Sequence, residues 1–293
     1  MSDTTKILRL GMWGAGRQAR AAHAASLEHC DFARISAIAA APDGGAEDLA
    51  AELGAATCAP DELATRDDVD ALLVITPPHT HAELVRAALR AGKPVLCELP
   101  LAPDPATARA LFEEAEAAGV VHASTLPRPL LYGGPKVAEV IASGTLGSLR
   151  SAELTIRLPE AAAAGRGDGY PLLAGMAAAC LATLFGPGRA VGRDRTSHTL
   201  APELGGGELE VSLDLALSSA TEGGALPEPT GLSLVGESGT LTWSWSVPGH
   251  IELCRKGTSE DASMAFEPDL GRAFPFTRDF ARAVLDGTRP GPN

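Results

Sequence analysis

The stretch with the most chemical content is "LGMWGAGRQA", residues 10–19, in which Gly14, Gly16 and Ala19 form G-x-G-x-x-A. Gly14 permits a tight turn, Gly16 lets the backbone approach a pyrophosphate, and a small residue at Ala19 lets a helix pack on a strand. The helix beginning there would offer its first amides to an anion. Together with Gly11, Ala15, Arg17 and Gln18, this makes the loop a candidate dinucleotide site. Its usual companion is an Asp or Glu at the end of the second strand for a ribose hydroxyl, or an Arg for a 2′-phosphate. Here that stretch reads Ala39-Ala40-Ala41-Pro42, so the hook is missing. Asp43 comes a few residues late and Arg17 could serve a phosphate, so the choice between NAD and NADP stays open.

Two further stretches could place polar groups beside such a cofactor. Thr76-Pro77-Pro78-His79-Thr80-His81 follows the apolar run "DALLVI", and Glu98-Leu99-Pro100 ends the run "PVLC". The second is where an α/β enzyme would present a catalytic side chain, yet its central position is a leucine. No His/Asp/Glu cluster shows metal-ligand spacing, so no metal is expected. The cysteines, Cys30, Cys58, Cys97, Cys180 and Cys254, are odd in number and include no C-x-x-C, which argues against a disulfide framework or a zinc knuckle.

Stepping outward, the elements that must hold these groups fall into two regions. From Ile7 to His122 short apolar runs alternate with alanine-rich helical stretches, the grammar of a doubly wound parallel sheet covered on both faces. After about residue 123 come a helix ("PKVAEVIASG"), an alternating strand ("SLRSAELTIRL"), an apolar helix ("LLAGMAAACLATLFG") and grouped strands, with a closing helix at "FTRDFARAVLDG". That order predicts an α+β domain with a mostly antiparallel sheet. The expected division is a Rossmann domain over residues 1–122 and a substrate and dimerisation domain over 123–293. A length of 293 residues accommodates two domains, and a net charge of −13 repels polyanions, which excludes nucleic acid as a partner. No apolar window approaches the ~20 residues of a membrane span, and the N-terminus lacks an apolar leader, so a cytoplasmic protein is expected.

At this level the chain resembles the Gfo/Idh/MocA family of two-domain nicotinamide-dependent oxidoreductases. The resemblance rests on "LGMWGAGRQARAAHAASL", "DALLVITPPHTHAELVRAALRAGKPVLCELPLA", "KVAEVIASGTLGSLRSAEL" and "GLSLVGESGTL". It implies NAD or NADP as cofactor, a small-molecule substrate, and a homo-oligomer (dimer or tetramer) formed through apolar exposed faces of the second domain's sheet. It also implies that Thr76, Pro77, His79 and His81 border the cofactor's ribose and nicotinamide, and that Glu98 lies near the nicotinamide end. Members commonly continue beyond the point where this chain ends, at "DGTRPGPN", so a shortened C-terminus is expected.

The resemblance breaks where protons are handled. The family's lysine falls on Leu99, and the Asp, His and Asp of its later helix fall on Ala174, Ala178 and Leu181. Leucine and alanine cannot accept a proton from an alcohol, so sugar-dehydrogenase chemistry is not expected. The segment "GYPLLAGMAAACLATLFG" is similar to one in biliverdin reductases, which lack the lysine and histidine and still transfer hydride, although the arginine of their helix is also missing here. The polar groups left to reach the cleft are His79, Glu98, His122, Arg128, Tyr132 and Tyr170. Tyr170 is the candidate proton donor, Arg128 a candidate anchor for an anionic substrate, and Glu98 a candidate acid if burial raises its pKa. Cys97 and Cys180 have no His placed to activate them and read as small buried hydrophobes; His122 reads as a satisfied core histidine. Two functions follow: an atypical NAD(P)-dependent reductase of an apolar or conjugated small molecule, with solvent or Tyr170 supplying the proton, or a redox-silent relative that is a cyclase- or isomerase-type enzyme of secondary metabolism or a binding protein.

Overall fold

The computed structural model describes residues 7–41, 44–127, 130, 133–159, 170–185, 189–192, 197–201, 209–218, 230–245, 250–257, 261–265 and 275–288. The chain divides into two compact units, one running to Thr125 and taking in the last described helix, the other beginning at Leu126.

The first unit is built on β1 (Leu8–Trp13), β2 (Ala33–Ala39), β3 (Ala56–Thr57), β4 (Ala71–Val74), β5 (Val95–Cys97) and β6 (His122–Ser124). All pair in parallel, in the order β3-β2-β1-β4-β5-β6. This is the doubly wound topology expected from the β-α alternation. The order reverses between β1 and β4, and ligands of such sheets bind at the carboxyl ends of strands flanking that point. Leu10, Met12, Leu72, Leu73 and Val74 are essentially fully buried because both faces of the sheet are covered, and each such side chain contributes roughly 1.5–3 kcal/mol.

The helices are α1 (Ala46–Leu53), α2 (His81–Arg90) and α3 (Pro105–Ala118), with a π-helical stretch, Ala19–Ala24, leading into a 3₁₀ turn, Ala25–Leu27, after the glycine loop. A π-helical turn is rare and often marks a functional site. In α3 the Asp104 carboxylate accepts the Thr107 amide at 2.9 Å, Pro105 opens the helix, and Gly119 closes it at φ 64°.

The last described helix, Phe276–Asp286, belongs to this first unit and not to the second, where the sequence boundary at 122/123 had put it. Its amphipathic pattern explains why. Thr277, Phe280, Ala281 and Ala283 are buried, Phe280 and Ala281 among Leu8, Leu10 and Ile38, while Arg282 lies 3.8 Å over the Phe32 ring. The chain leaves the first unit and comes back to finish it.

The second unit contains α4 (Gly134–Ala142), α5 (Tyr170–Phe185) and strands β7 (Leu149–Pro159), β8 (Arg189–Gly192), β9 (Ser197–Ala201), β10 (Leu209–Ser218), β11 (Gly231–Gly236), β12 (Gly239–Ser244), β13 (His250–Arg255) and β14 (Asp261–Ala265); with these named, the last described helix is α6. The sheet order is β14-β13-β12-β11-β7-β10-β9-β8, antiparallel except for β7 against β10. Ala152, Leu154 and Ile156 of β7 and Leu232 and Leu234 of β11 join the core with Leu173, Cys180 and Leu184 of α5. The opposite face carries exposed Glu153, Ser212, Asp214, Thr242 and Glu252. Among the described residues this face is mainly polar, with exposed Val235 of β11, beside Ser151 of β7, as an apolar exception.

Candidate functional site

The glycine loop leaves β1 at Trp13 and is fixed at Gly14, whose amide donates to Ala39 O at 2.8 Å. Gly14 has φ 102°, and a Cβ there would stand 2.4 Å from Ile75 O. Only glycine lets the loop after β1 lie against the chain leaving β4. Gly16 differs: its φ is not left-handed, it is exposed, and a Cβ on it would meet nothing within 4 Å. No internal contact demands glycine there, which is what a backbone kept bare for an incoming phosphate would show.

Arg17, Pro77 and His79 are also exposed, so these residues form an accessible rim at the carboxyl ends of β1 and β4. The second loop is stiffened by Thr76 Oγ1 and Thr80 Oγ1 at 2.6 Å and by the Thr80 hydroxyl donating to Pro77 O at 2.8 Å. Two of the expected cofactor residues sit elsewhere. Gly11 is buried inside β1, where a Cβ would come 2.8 Å from Val69 Cγ1, so its smallness serves packing. The Ala15 side chain is in the core, leaving only its backbone for a ligand.

At the end of β5, Glu98 is the hub of a network. Its Oε1 receives His23 Nε2–H at 2.8 Å and its Oε2 the Thr125 hydroxyl at 3.0 Å, with Gln18 as a further donor. His23 is itself buried and its Nδ1 lies 2.8 Å from Thr277 Oγ1 of α6. Burial would raise the Glu98 pKa, but the hydrogen bond and charge of His23 and the bonds from Thr125 and Gln18 outweigh it, holding the carboxyl below its ordinary value. This corrects the expectation of Glu98 as an acid: it stays ionised and acts as an acceptor. Gln18, expected on the cofactor, also serves Glu98. His23 was missed in the sequence. Its signal was a histidine on the face of "ARAAHAASL" that also carries Ala19, Ala22 and Leu27, the face turned to the sheet.

His81 is likewise buried, with Nε2 2.8 Å from Thr76 O and Nδ1 2.7 Å from Pro100 O. Both ring nitrogens are engaged by backbone, so His81 braces the loops after β4 and β5 and is not free to hold a dinucleotide as expected. Leu99, half-buried, stands between Glu98 and the apolar Leu101 and Ala102. His122 is not the satisfied histidine expected: both ring nitrogens are buried without a hydrogen-bond partner among the described residues, the ring is 4.6 Å from that of Phe112, and burial lowers its pKa to about 4. Tyr170 is the first residue of α5, on which Ala174 is half-buried, Ala178 exposed and Leu181 in the core. Arg128, Tyr132 and Asp43 lie outside the described residues. Among the described residues no group of three or more His, Cys, Asp or Glu could hold a metal, and no helix is long and apolar enough to cross a membrane.

A doubly wound sheet with a bare glycine at its switch point defines a dinucleotide-binding unit. Residues 8–125 match the model of the Gfo/Idh/MocA oxidoreductase family, described as having an NAD-binding Rossmann fold. Among curated relatives, the myo-inositol 2-dehydrogenase of Thermotoga maritima is 32% identical over 154 residues, 52% of this chain and 46% of that protein. The dTDP-3,4-didehydro-2,6-dideoxy-alpha-D-glucose 3-reductase of Actinomadura kijaniata is 37% identical over 100 residues, 33% of this chain and 29% of that protein. The chain thus spans less than half the length of these relatives in the matched region. Among solved structures, the 3-ketoreductase KijD10 of Actinomadura kijaniata, in complex with NADP and TDP-benzene, superposes with a TM-score of 0.73 at 22% identity, covering 97% of this chain and 92% of that one. A levoglucosan dehydrogenase in complex with NADH and levoglucosan gives 0.72 at 17% identity, covering 98% and 92%. These likenesses extend the shared fold to the second unit.

Proposed function

We propose that the protein is an NAD(P)-dependent oxidoreductase that reduces an apolar or conjugated small molecule without the proton-handling lysine and histidine expected at positions 99 and 178. The observation that carries this reading is the contrast between Gly14, glycine because Ile75 O leaves no room for a Cβ, and Gly16, glycine with open space above it. A backbone kept bare on its outer side fits a dinucleotide pyrophosphate, held by the amides of Ala15 and Gly16 with Arg17, and bordered by Thr76, Pro77 and His79. A bound nicotinamide supplies hydride.

The chain's own part is then to seat the substrate and to find one proton for each hydride delivered. Glu98 does not supply that proton, because its donors keep it ionised. Its fixed charge instead offers an acceptor at the end of β5, beside the apolar, half-buried Leu99. Tyr170 or solvent donates the proton, and Arg128 anchors any acidic group on the substrate. Leu99, Ala174 and Ala178 also support a second reading, a redox-silent enzyme or binding protein, since no described side chain replaces the missing base. A homo-oligomer, dimer or tetramer, belongs to this proposal and is checked by sedimentation.

Titration with NADH, NADPH and their oxidised forms, followed by nicotinamide fluorescence or heat, separates the two functions. Micromolar binding of a reduced form is expected. Absence of binding of every form at millimolar concentration would leave the redox-silent reading.

A further inference from the structure

The chain crosses out of the first unit after Thr125 and is back in it for α6. Each crossing is flanked by a fully buried threonine, Thr125 on the way out and Thr277 in the first turn of α6 on the way back, exposed by 1% and 0%. Packing alone would be met by valine, which has the shape of threonine and no hydroxyl to satisfy. A buried hydroxyl needs a partner, and both threonines find theirs in the same network.

On the outgoing side the Thr125 hydroxyl donates to Glu98 Oε2 at 3.0 Å, while the Thr125 amide and the Ser124 hydroxyl donate to Cys97 O at 3.0 and 3.1 Å. On the returning side Thr277 Oγ1 stands 2.8 Å from His23 Nδ1, and His23 Nε2 reaches Glu98 Oε1 at 2.8 Å. Gln18, two positions after Gly16 and only half-buried, gives the same carboxylate a further donor. The glycine loop and both crossings therefore end on one planar group.

That arrangement transmits position. The two oxygens of a carboxylate are fixed relative to each other, so Glu98 cannot follow Gln18 without shifting its bonds to Thr125 and His23. Nor can it drop them, because its side chain is only 17% exposed and a charge withdrawn from water needs its donors.

We infer that the Glu98 network couples dinucleotide occupancy of the glycine loop to the two crossings. A dinucleotide on the loop fixes Gln18, Gln18 fixes the carboxylate, and the carboxylate fixes Thr125 directly and Thr277 through His23. Thr125, His23 and Thr277 are thus positioning residues that act through Glu98. The inference rests on the redox reading above, which supplies the dinucleotide, and adds to it a link between cofactor and chain crossings.

Hydrogen exchange of the full chain, read by mass spectrometry with and without saturating NADH or NADPH, tests this link. The dinucleotide slows exchange about tenfold in peptides covering residues 14–20, 122–127 and 276–282, which include the Thr125 and Asp279 amides bonded to Cys97 O and Pro275 O. Thr125→Val and Thr277→Val keep the protection of the loop and lose it at their own crossing. Thr125→Ser and Thr277→Ser, which retain the hydroxyl, keep both; circular dichroism checks each fold, and the wild type with the serine variants decides if a valine variant does not fold. A residue that only stabilised the fold would change exchange by the same factor with and without dinucleotide. Protection confined to the loop in the wild type, valine variants that keep the wild-type ratio, or serine variants that lose it overturn the inference while leaving the redox reading intact. Failure of both dinucleotides to bind overturns the two together.

Discussion

Thr277 Oγ1 of the last described helix stands 2.8 Å from Nδ1 of His23, a residue 254 positions earlier, and through that ring it is linked to Glu98. The ionised carboxylate at the end of β5 is thus held from the two ends of the chain.

His23→Leu strips Glu98 of its main donor and leaves a largely buried charge uncompensated, at a cost of about 3 kcal/mol in urea unfolding. Glu98→Leu with His23→Leu costs less than the sum of the single changes, because no stranded charge remains. The pH dependence reverses as well. In the wild type the folded pKa of Glu98 is lowered, so its contribution is present above the ordinary value of 4.5 and lost as pH falls through the folded pKa. In His23→Leu burial dominates and raises that pKa, so acidification toward pH 5 relieves the variant; an acid-side stability curve distinguishes the two.

His122 gives a second acid-sensitive element. Its folded pKa is about 4 against an ordinary 6.5. The unfolded chain therefore takes up the proton first, and stability declines as pH falls from 6.5 toward 4, by about 3 kcal/mol in all. His122→Phe keeps the packing against Phe112 and abolishes this component, raising the melting temperature at pH 5 more than at pH 8.

The two loop glycines separate folding from binding. Gly14→Ala places a Cβ against Ile75 O in a left-handed conformation and lowers stability by 2 kcal/mol or more, on the order expected for strain with overpacking. Gly16→Val folds with near wild-type stability, because nothing stands near its Cβ, but weakens dinucleotide binding at least about tenfold. Thermal melting and fluorescence titration read the two effects independently.

Much of this was legible in advance. The sheet of the first unit followed from apolar runs alternating with helical ones, and the glycine loop from its spacing. β3, β8, β9 and β14 were not foreseen: each has five residues or fewer, and "DASMA" is too short for its alternation to stand out, its strand state being fixed by pairing with β13. Glu98 was found by its position, but its ionisation was misjudged, because His23 and Thr277 approach it only in three dimensions. The place of α6 was hidden for the same reason: an amphipathic helix shows that it has a buried face but not which core covers it.

Thiol reactivity checks the two core cysteines. Burial pushes Cys97 well above its ordinary pKa and Cys180 up to about 12. At pH 8 iodoacetamide labels exposed Cys254 in the native protein, while Cys97 and Cys180 become labelled only on unfolding, as mass spectrometry would show.

Tyr170→Phe tests the proton source. If the phenol donates, turnover of a conjugated substrate falls about 100-fold while dinucleotide affinity is unchanged; retained turnover assigns the proton to solvent.

The return of α6 also sets an order of events during synthesis. A ribosome emits the strands of the dinucleotide unit first, but Phe280 and Ala281, which close their core, come after the whole intervening unit. The nascent parallel sheet therefore waits, with part of its apolar surface uncovered, while the second unit has all its residues available earlier. The half of the molecule begun first is the half completed last.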